Sequence, residues 1–481
     1  MISKDNKEGH LWWFIGLGII LVIIRYAINY DGFYGQDSYG YYQHAEGWLS
    51  FFKGGPKPVM HPSQPYLFPA LGALIARCTY LPLGGVLQFL CFISLTVAAT
   101  SIHQIVRRQS EEGSIVVLFY IMIGFALTPY VIRQSFLVMS DMPCLAILLL
   151  SVRFAFTFLD TGRLNYAVLA IIFAVTSTMF RYGAAILITP MCVLLCLKLL
   201  QTKKVIPLLF IIVLTLAIVM PYYWVHSDNP VAFSNHSLLS GWSFSNFFSS
   251  THTMVHAGTY NYSFPNVVFV ILMLFHPGLF VIGLVLILFI RLSDIKKNQG
   301  LIAILTGFLI YLFFNAGMPF QNKRFFILSL PFLLILFAPS FYRSWKWGIR
   351  KLGVHGVYGL VGLLICFQLI FASMSLKEMI DINKVEQELS AKLDGYKANT
   401  VYTFGMDLPL NHYASKHNYI TLYQKESLLF IKGEMILFNS EAILTNWSER
   451  APGKLWYQLI ENDRLELLWE HQSGWKLYEL R

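Results

Sequence analysis

The stretch YGQDSYGYYQHAEGW, residues 34–48, follows an apolar run yet carries two acids, a histidine and five aromatic rings. If residues 38–48 are helical, Asp37, Tyr41 and His44 fall at i, i+4 and i+7 and share one face. A carboxylate held among rings at a membrane surface can take a proton from a hydroxyl or bind a metal ion. It reads equally as a helix cap, and aromatic rings at an interface need no role beyond anchoring. Asp141, in MSDMP, precedes Pro143 and suits either a helix start or a second acid of a site. The bases are Arg181 with Tyr182 in RYGA, and Lys323 with Arg324 in QNKRFF. Adjacent bases opening an apolar helix suit an anion. Phosphate fits best, because Arg offers a planar fork and Lys a point charge. Arg181 taken singly also reads as a base snorkelling to headgroups. His61 lies in VMHPSQPYLFP, where the prolines keep the chain extended. Glu46 reads as a solvated charge.

The elements that must position these residues are membrane spans. Of 481 residues, 56% are hydrophobic and only 13% charged, with a mean hydropathy of +0.56, too few charges to cover a soluble protein. Apolar runs of spanning length predict eleven helices, near 11–28, 84–105, 114–131, 142–159, 165–180, 183–200, 205–224, 265–290, 300–316, 325–342 and 354–375. The first reads as a retained anchor, and 65–80 as a helix lying at the interface. With the N-terminus inside, fifteen Lys and Arg fall in inner segments and seven in outer ones, so the positive charge favours that orientation. The opening loop 29–83, the loop 225–264 and the tail 377–481 then share the outer side, together with every candidate residue above. Strand-like VYTF, YITLY, EMILF and WKLYEL, with helix-like VEQELSAKL and LWYQLIE, make the tail a small α/β domain. The basic clusters are dispersed between spans, so the net charge of +10 does not imply nucleic acid. The six cysteines lie in apolar segments and read as core residues. No Walker loop, dinucleotide fingerprint or GxSxG is present, which removes support for ATP-driven transport and serine hydrolysis.

Four motifs in order, GQDSYGYYQHAEGW, HPSQPYLFPALGAL, FLVMSDMPCLAILLL and NKRFFILSLPFLLILFAP, resemble the GT-C superfamily of polytopic glycosyltransferases. The branch they resemble uses dolichyl- or polyprenyl-phosphate sugars and includes the protein mannosyltransferases and aminoarabinose transferases. The likeness spans roughly residues 10–375. Gln36 and Ser38 flank Asp37, so the paired Asp-Glu of protein mannosyltransferases is absent. The resemblance implies an all-α polytopic membrane protein of about eleven spans. Residues 1–376 would form the catalytic domain and residues 377–481 a small extracytoplasmic α/β domain. It implies inverting transfer of a single sugar from a polyprenyl-phosphate donor to a glycan, lipid or protein acceptor at the outer face. Asp37 would be the catalytic base. Asp141, Arg181, Tyr182, Lys323, Arg324, His61, Tyr41 and His44 would bind substrate, with Arg324, Lys323 and Arg181 meeting the departing phosphate. No cofactor is certain, and a Mg or Mn ion held by Asp37 and Asp141 stays open. The expected setting is a bacterial inner membrane, N-terminus cytoplasmic and C-terminus outside. Two other readings remain: a lipid-linked glycan ligase or polymerase, and a non-enzymatic lipid-sugar transporter or flippase. The absence of an internal repeat counts against transport.

Overall fold

The computed structural model describes residues 11–61, 64–109, 113–201, 205–227, 241–254, 258–422, 430–449, 451–462 and 464–481. Pro62 and parts of the expected outer loop, 228–240 and 255–257, lie outside the described residues. The chain is an integral, multi-pass helical protein with a small C-terminal sheet. Its helices are α1 (Leu11–Ala27), α2 (Gly35–Phe52), α3 (Leu67–Thr79), α4 (Leu83–Arg108), α5 (Ser114–Ile121) and α6 (Pro129–Phe136). There follow α7 (Asp141–Thr161), α8 (Leu164–Phe180), α9 (Gly183–Gln201) and α10 (Val205–Val225). Three short helices come next, α11 (Asn266–Met273), α12 (Pro277–Phe280) and α13 (Gly283–Ile287), then α14 (Leu292–Lys296), α15 (Gln299–Ala316) and the long α16 (Phe326–Leu393).

Among the described residues, α4, α7, α9, α15 and the helical run into α16 are long and apolar enough to cross a bilayer. The helices α1, α8, Leu209–Val225 and Asn266–Phe280 are shorter apolar ones, so these lengths do not reproduce the expected eleven straight spans. The expectation departs from the structure in three places. The run 114–131 is bent by 65° where α5, continued by a π turn at Met122–Ala126, meets α6. Thr128 is extended ahead of Pro129, as a pre-proline residue must be, and the helix restarts on the proline. The run 265–290 breaks at His276, extended before Pro277, into α11, α12 and α13. The runs 325–342 and 354–375 belong to α16, whose two arms meet at Gly353 with φ 72° and ψ 172°, a conformation open almost only to glycine.

The second arm of α16 continues past its apolar part into a polar stretch, SLKEMIDINKVEQELSAKL. There Asn383 and Gln387 donate to Asp31 at 3.1 and 3.2 Å, and Tyr39 Oη donates to Glu386 at 2.6 Å. Tyr413 of α17 (Asp407–Tyr413) also donates to Asp31, at 2.5 Å. The opening segment and the tail are thus joined at one end of the bundle. The tail sheet runs β4-β3-β5-β7-β6, with β3 (Thr400–Thr403) parallel to both β4 (Asn418–Thr421) and β5 (Met435–Phe438). The strands β6 (Leu465–Glu470) and β7 (Lys476–Leu480) pair antiparallel. Every residue of β3 and β5 is buried, as expected of central strands covered on both faces. Val401, Met435 and Leu437 pack against Leu389 and Leu393 of α16, while Tyr402, Ile436 and Phe438 pack against α18 (Ser440–Trp447) and α19 (Ala451–Glu461). A two-stranded hairpin, β1 (Thr251–Met254) with β2 (Gly258–Asn261), lies in the loop before α11, and α18 packs on β2.

Candidate active site

Asp37 sits in the first turn of α2, which the chain enters through Gly35 at φ 67°. The N-cap is Tyr34, so Asp37 does not cap the helix. The segment that leads into α7 is laced to the segment that leads into α2. Val138 N–H donates to Gly32 O at 2.9 Å, and the Tyr41 hydroxyl and Ser140 Oγ lie 2.6 Å apart. Those contacts set Asp141 at the start of α7, one residue after Ser140, with its carboxylate fully buried. Arg324 then joins the two acids. Its Nη1 donates to Asp37 Oδ2 at 2.6 Å, its Nε to Asp141 Oδ2 at 2.8 Å, and its Nη2 lies 2.7 Å from that same oxygen. Asn322 fixes the turn that carries it, its Oδ1 accepting from Arg324 N at 2.9 Å. Arg181, just past the end of α8, brings Nη1 to 2.8 Å from Asp141 Oδ1, as a close charge pair rather than an aligned hydrogen bond. Its guanidinium covers the Phe325 ring at 5.3 Å. A buried carboxylate is tolerated only when its charge is met, and two arginines meet this one.

The exposure of the two acids differs sharply. The Asp141 side chain is 0% exposed and that of Asp37 is 58% exposed, although both bind Arg324. Asp37 looks into a cavity of about 780 Å³ whose wall also includes Lys323, Arg324, Tyr130, Arg133 and His276. Asp37 Oδ1 has no hydrogen bond within the described residues, and neither does Lys323 form an ion pair there. Tyr41 lies buried beneath Asp37, and burial raises its phenol. His44 and His61 meet each other outside the cavity lining, His61 N–H donating to His44 Nε2 at 3.2 Å. Burial pushes His44 down to about 4, with His61 adding to the effect, so the neutral ring is free to accept that bond. Tyr182 stands edge-on to Tyr222 at 6.0 Å and does not line the cavity. The sequence therefore brings Asp37, Asp141, Arg181 and Arg324 into one network with Lys323 beside it, while His44, His61 and Tyr182 stay outside the cavity lining. Arg324, expected among the phosphate-binding cations, has all three guanidinium nitrogens directed at carboxylates.

No family model and no curated protein matches the chain. Solved structures do. ArnT from Cupriavidus metallidurans bound to undecaprenyl phosphate is 12% identical and superposes with a TM-score of 0.64 over 98% of both chains. Its apo form gives 11% and 0.61 over 96% of this chain and 98% of that one. The apo oligosaccharyltransferase of Archaeoglobus fulgidus is 14% identical, with a TM-score of 0.54 over all of this chain and 75% of its own. The chain has the GT-C fold.

On this GT-C fold the two acids make a poor pair of ligands for a divalent cation. Both are bound to Arg324 at 2.6–2.8 Å, and a metal would have to displace that guanidinium from each. Among the described residues, no group of three or more His, Cys, Asp and Glu side chains is arranged to hold one. Several cavity residues escaped sequence reasoning. Arg133 is one base among seven on the outer side, and nothing in PYVIRQSF marks it. His276 precedes a proline inside an apolar run, where it reads as a break; its Nδ1 caps α12 by accepting from Gly278 N at 3.0 Å, and its ring stacks on Tyr130. Only the bend before α6 and the break before α12 bring them to the cavity.

Proposed function

We propose that the chain is an inverting glycosyltransferase that moves a single sugar from a polyprenyl-phosphate donor to an acceptor hydroxyl at the outer face of the membrane. The observation that carries this reading is the Asp37 carboxylate. It is exposed to the cavity, anchored through Oδ2 by Arg324, open at Oδ1 and accompanied on the same wall by Lys323. The fold supports it, since the ArnT structure of the same fold is bound to undecaprenyl phosphate. An AglB structure from Archaeoglobus fulgidus, 13% identical with a TM-score of 0.51, is in complex with an inhibitory peptide and a dolichol-phosphate.

The acceptor hydroxyl gives its proton to Asp37 Oδ1 as its oxygen attacks the anomeric carbon from the side opposite the phosphate. The bond from that carbon to the phosphate oxygen breaks, and its electron pair leaves with the polyprenyl phosphate. Lys323 faces that growing charge. Arg324 holds Asp37 in place, and Asp141 with Arg181 holds Arg324. The charges support the division of labour. Two acids balance two arginines, which leaves the charge of Lys323 for the phosphate. Residues 1–376 would form the membrane catalytic unit and residues 377–481 an outer domain. The protein would sit in a bacterial inner membrane with its N-terminus cytoplasmic.

The test is Asp37→Asn in the full chain, assayed for transfer from a polyprenyl-phosphate sugar. Loss of about 10²–10⁴ in kcat is expected for a missing general base. Full activity in a folded variant would remove Asp37 from that role. The oligosaccharyltransferase likeness favours a second reading, transfer of a whole lipid-linked glycan. The mass gained by the acceptor, one sugar or many, separates the two.

A further inference from the structure

The cavity lining holds a third cation besides Lys323 and Arg324, one that does not pair with Asp37. Arg133 lies on α6 and faces the second arm of α16, where its Nη1 reaches Glu378 Oε2 at 3.2 Å and Ser375 Oγ at 3.4 Å. Its guanidinium also covers the Tyr34 ring at 4.8 Å. Arg133, Tyr34, Ser375 and Glu378 all line the cavity, and so do Phe371 and Met374 of the same helical arm. Phe371 and Met374 are exposed large apolar side chains on an apolar helix, so this wall of the cavity opens toward lipid.

The Arg133–Glu378 pair is unequal. Arg133 is 17% exposed, while Glu378 is 57% exposed. The arginine is held on two sides, by a ring and a hydroxyl, and the acid is a solvated partner of the kind that contributes only about 0–1 kcal/mol. The phosphodiester of a lipid-phosphate sugar brings one full negative charge and two free acceptor oxygens to the same guanidinium, and the freed lipid phosphate adds a third oxygen and further charge, so either competes with such a partner. Tyr34 then connects this end of the cavity to the site. It is the N-cap residue of α2, three positions before Asp37, and its backbone N–H donates to Ser38 Oγ at 2.8 Å.

We infer that Arg133 is an entry subsite for the phosphate of a lipid phosphate, which displaces Glu378 from it at the lipid-facing mouth of the cavity before reaching Lys323. This inference rests on the lipid-phosphate reading above. The subsite selects for a phosphate on the lipid rather than for the sugar, and Glu378 acts as its gate by competing for the same guanidinium.

The experiment uses the full chain in nanodiscs and measures binding of undecaprenyl phosphate, with undecaprenol as the uncharged control. Arg133→Gln should weaken undecaprenyl phosphate by about tenfold or more, the loss expected of a charged hydrogen bond. Undecaprenol binding should not change. Arg133→Lys should recover part of the loss, keeping the charge without the fork. Glu378→Gln should tighten undecaprenyl phosphate by up to about fivefold. A gain of affinity does not arise from misfolding. The double variant should behave as Arg133→Gln alone, because Glu378 acts through Arg133. If Glu378→Gln tightens binding equally with and without Arg133, or if Arg133→Gln changes affinity less than twofold while Lys323→Gln weakens it, the subsite is overturned and the donor reading stands. If the unaltered chain binds undecaprenol as well as undecaprenyl phosphate, the donor reading itself fails.

Discussion

Asp37 and Asp141 share one arginine, and neutralising them one at a time should separate function from stability. Asp141 is fully buried and meets both Arg324 and Arg181. Asp141→Asn removes the charge that Arg181 and Arg324 share and leaves Asp37 alone to balance them. Breaking a buried pair by removing one partner costs about 3–5 kcal/mol, most of it the charge left behind. Asp37 is 58% exposed, and its pair with Arg324 belongs with solvated ion pairs, worth about 0.2–1 kcal/mol. Asp37→Asn should therefore melt close to the unaltered chain while losing transfer, whereas Asp141→Asn should melt far lower. A suitable readout is mass-resolved thiol labelling during a temperature ramp. Cys91 and Cys144 are buried, the Cys91 thiol against Met139 O and the Cys144 thiol, one turn beyond Asp141, against Ser177 O of α8, so they react only when this part of the bundle opens. Unfolding of a membrane protein of this size is best compared as midpoints at one fixed scan rate. The reasoning is refuted if Asp37→Asn lowers the midpoint as much as Asp141→Asn does. It fails equally if Asp141→Asn melts with the unaltered chain.

Two further outcomes concern the scaffold around the site. His44 is pushed down to about 4, first by burial and then by His61, so between pH 6.5 and 4 the unfolded chain takes up a proton that the folded chain refuses. Stability present above pH 6.5 is lost as pH falls toward 4, by an amount on the order of 2–3 kcal/mol, and His44→Gln should flatten that acid limb in melting-point titrations. An unchanged acid limb in His44→Gln would show that another group sets it. Gly353→Ala should lower the melting midpoint by about 1–3 kcal/mol in equivalent stability, since no side-chain contact is gained or lost there and only the φ of 72° is strained. The helical control Gly359→Ala, also in open space, should be neutral or slightly stabilising, and equal effects at both positions would count against a strained hinge.

The membrane class, the residue types of the site and their placement at one end of the bundle were legible because they follow from period, length and charge, which act locally. Asp37, Asp141, Arg181 and Arg324 could each be singled out that way, since an acid or base next to an apolar run is costly wherever it lands. Which of them touch was not legible. Arg324 lies 287 residues from Asp37 and 183 from Asp141, and only the packed bundle brings its guanidinium between them. The breaks were readable in part, for Pro129 and Pro277 announce a change of direction without saying that the pieces turn inward. In the tail, LELLWE was missed as a strand because it is an edge strand with mixed exposure, so its burial gives no period-2 signal. VYTF and EMILF were found because both faces of those central strands are covered and their residues are correspondingly apolar.

The shared arginine also restricts what the neighbouring residues can do. A guanidinium has one fork, and the Arg324 fork is directed at carboxylates through Nε, Nη1 and Nη2. A phosphate that bound it in bidentate fashion would have to release Asp37, Asp141 or both, freeing the proposed base at the moment when its position matters most. Lys323 carries no such conflict, being exposed on the cavity wall with no ion pair among the described residues. Adjacent in sequence, the two bases divide their tasks by the direction in which each side chain leaves the turn that Asn322 caps. One is turned into the bundle to fix a carboxylate, and the other is left in the cavity, where the proposed transfer would release its charge.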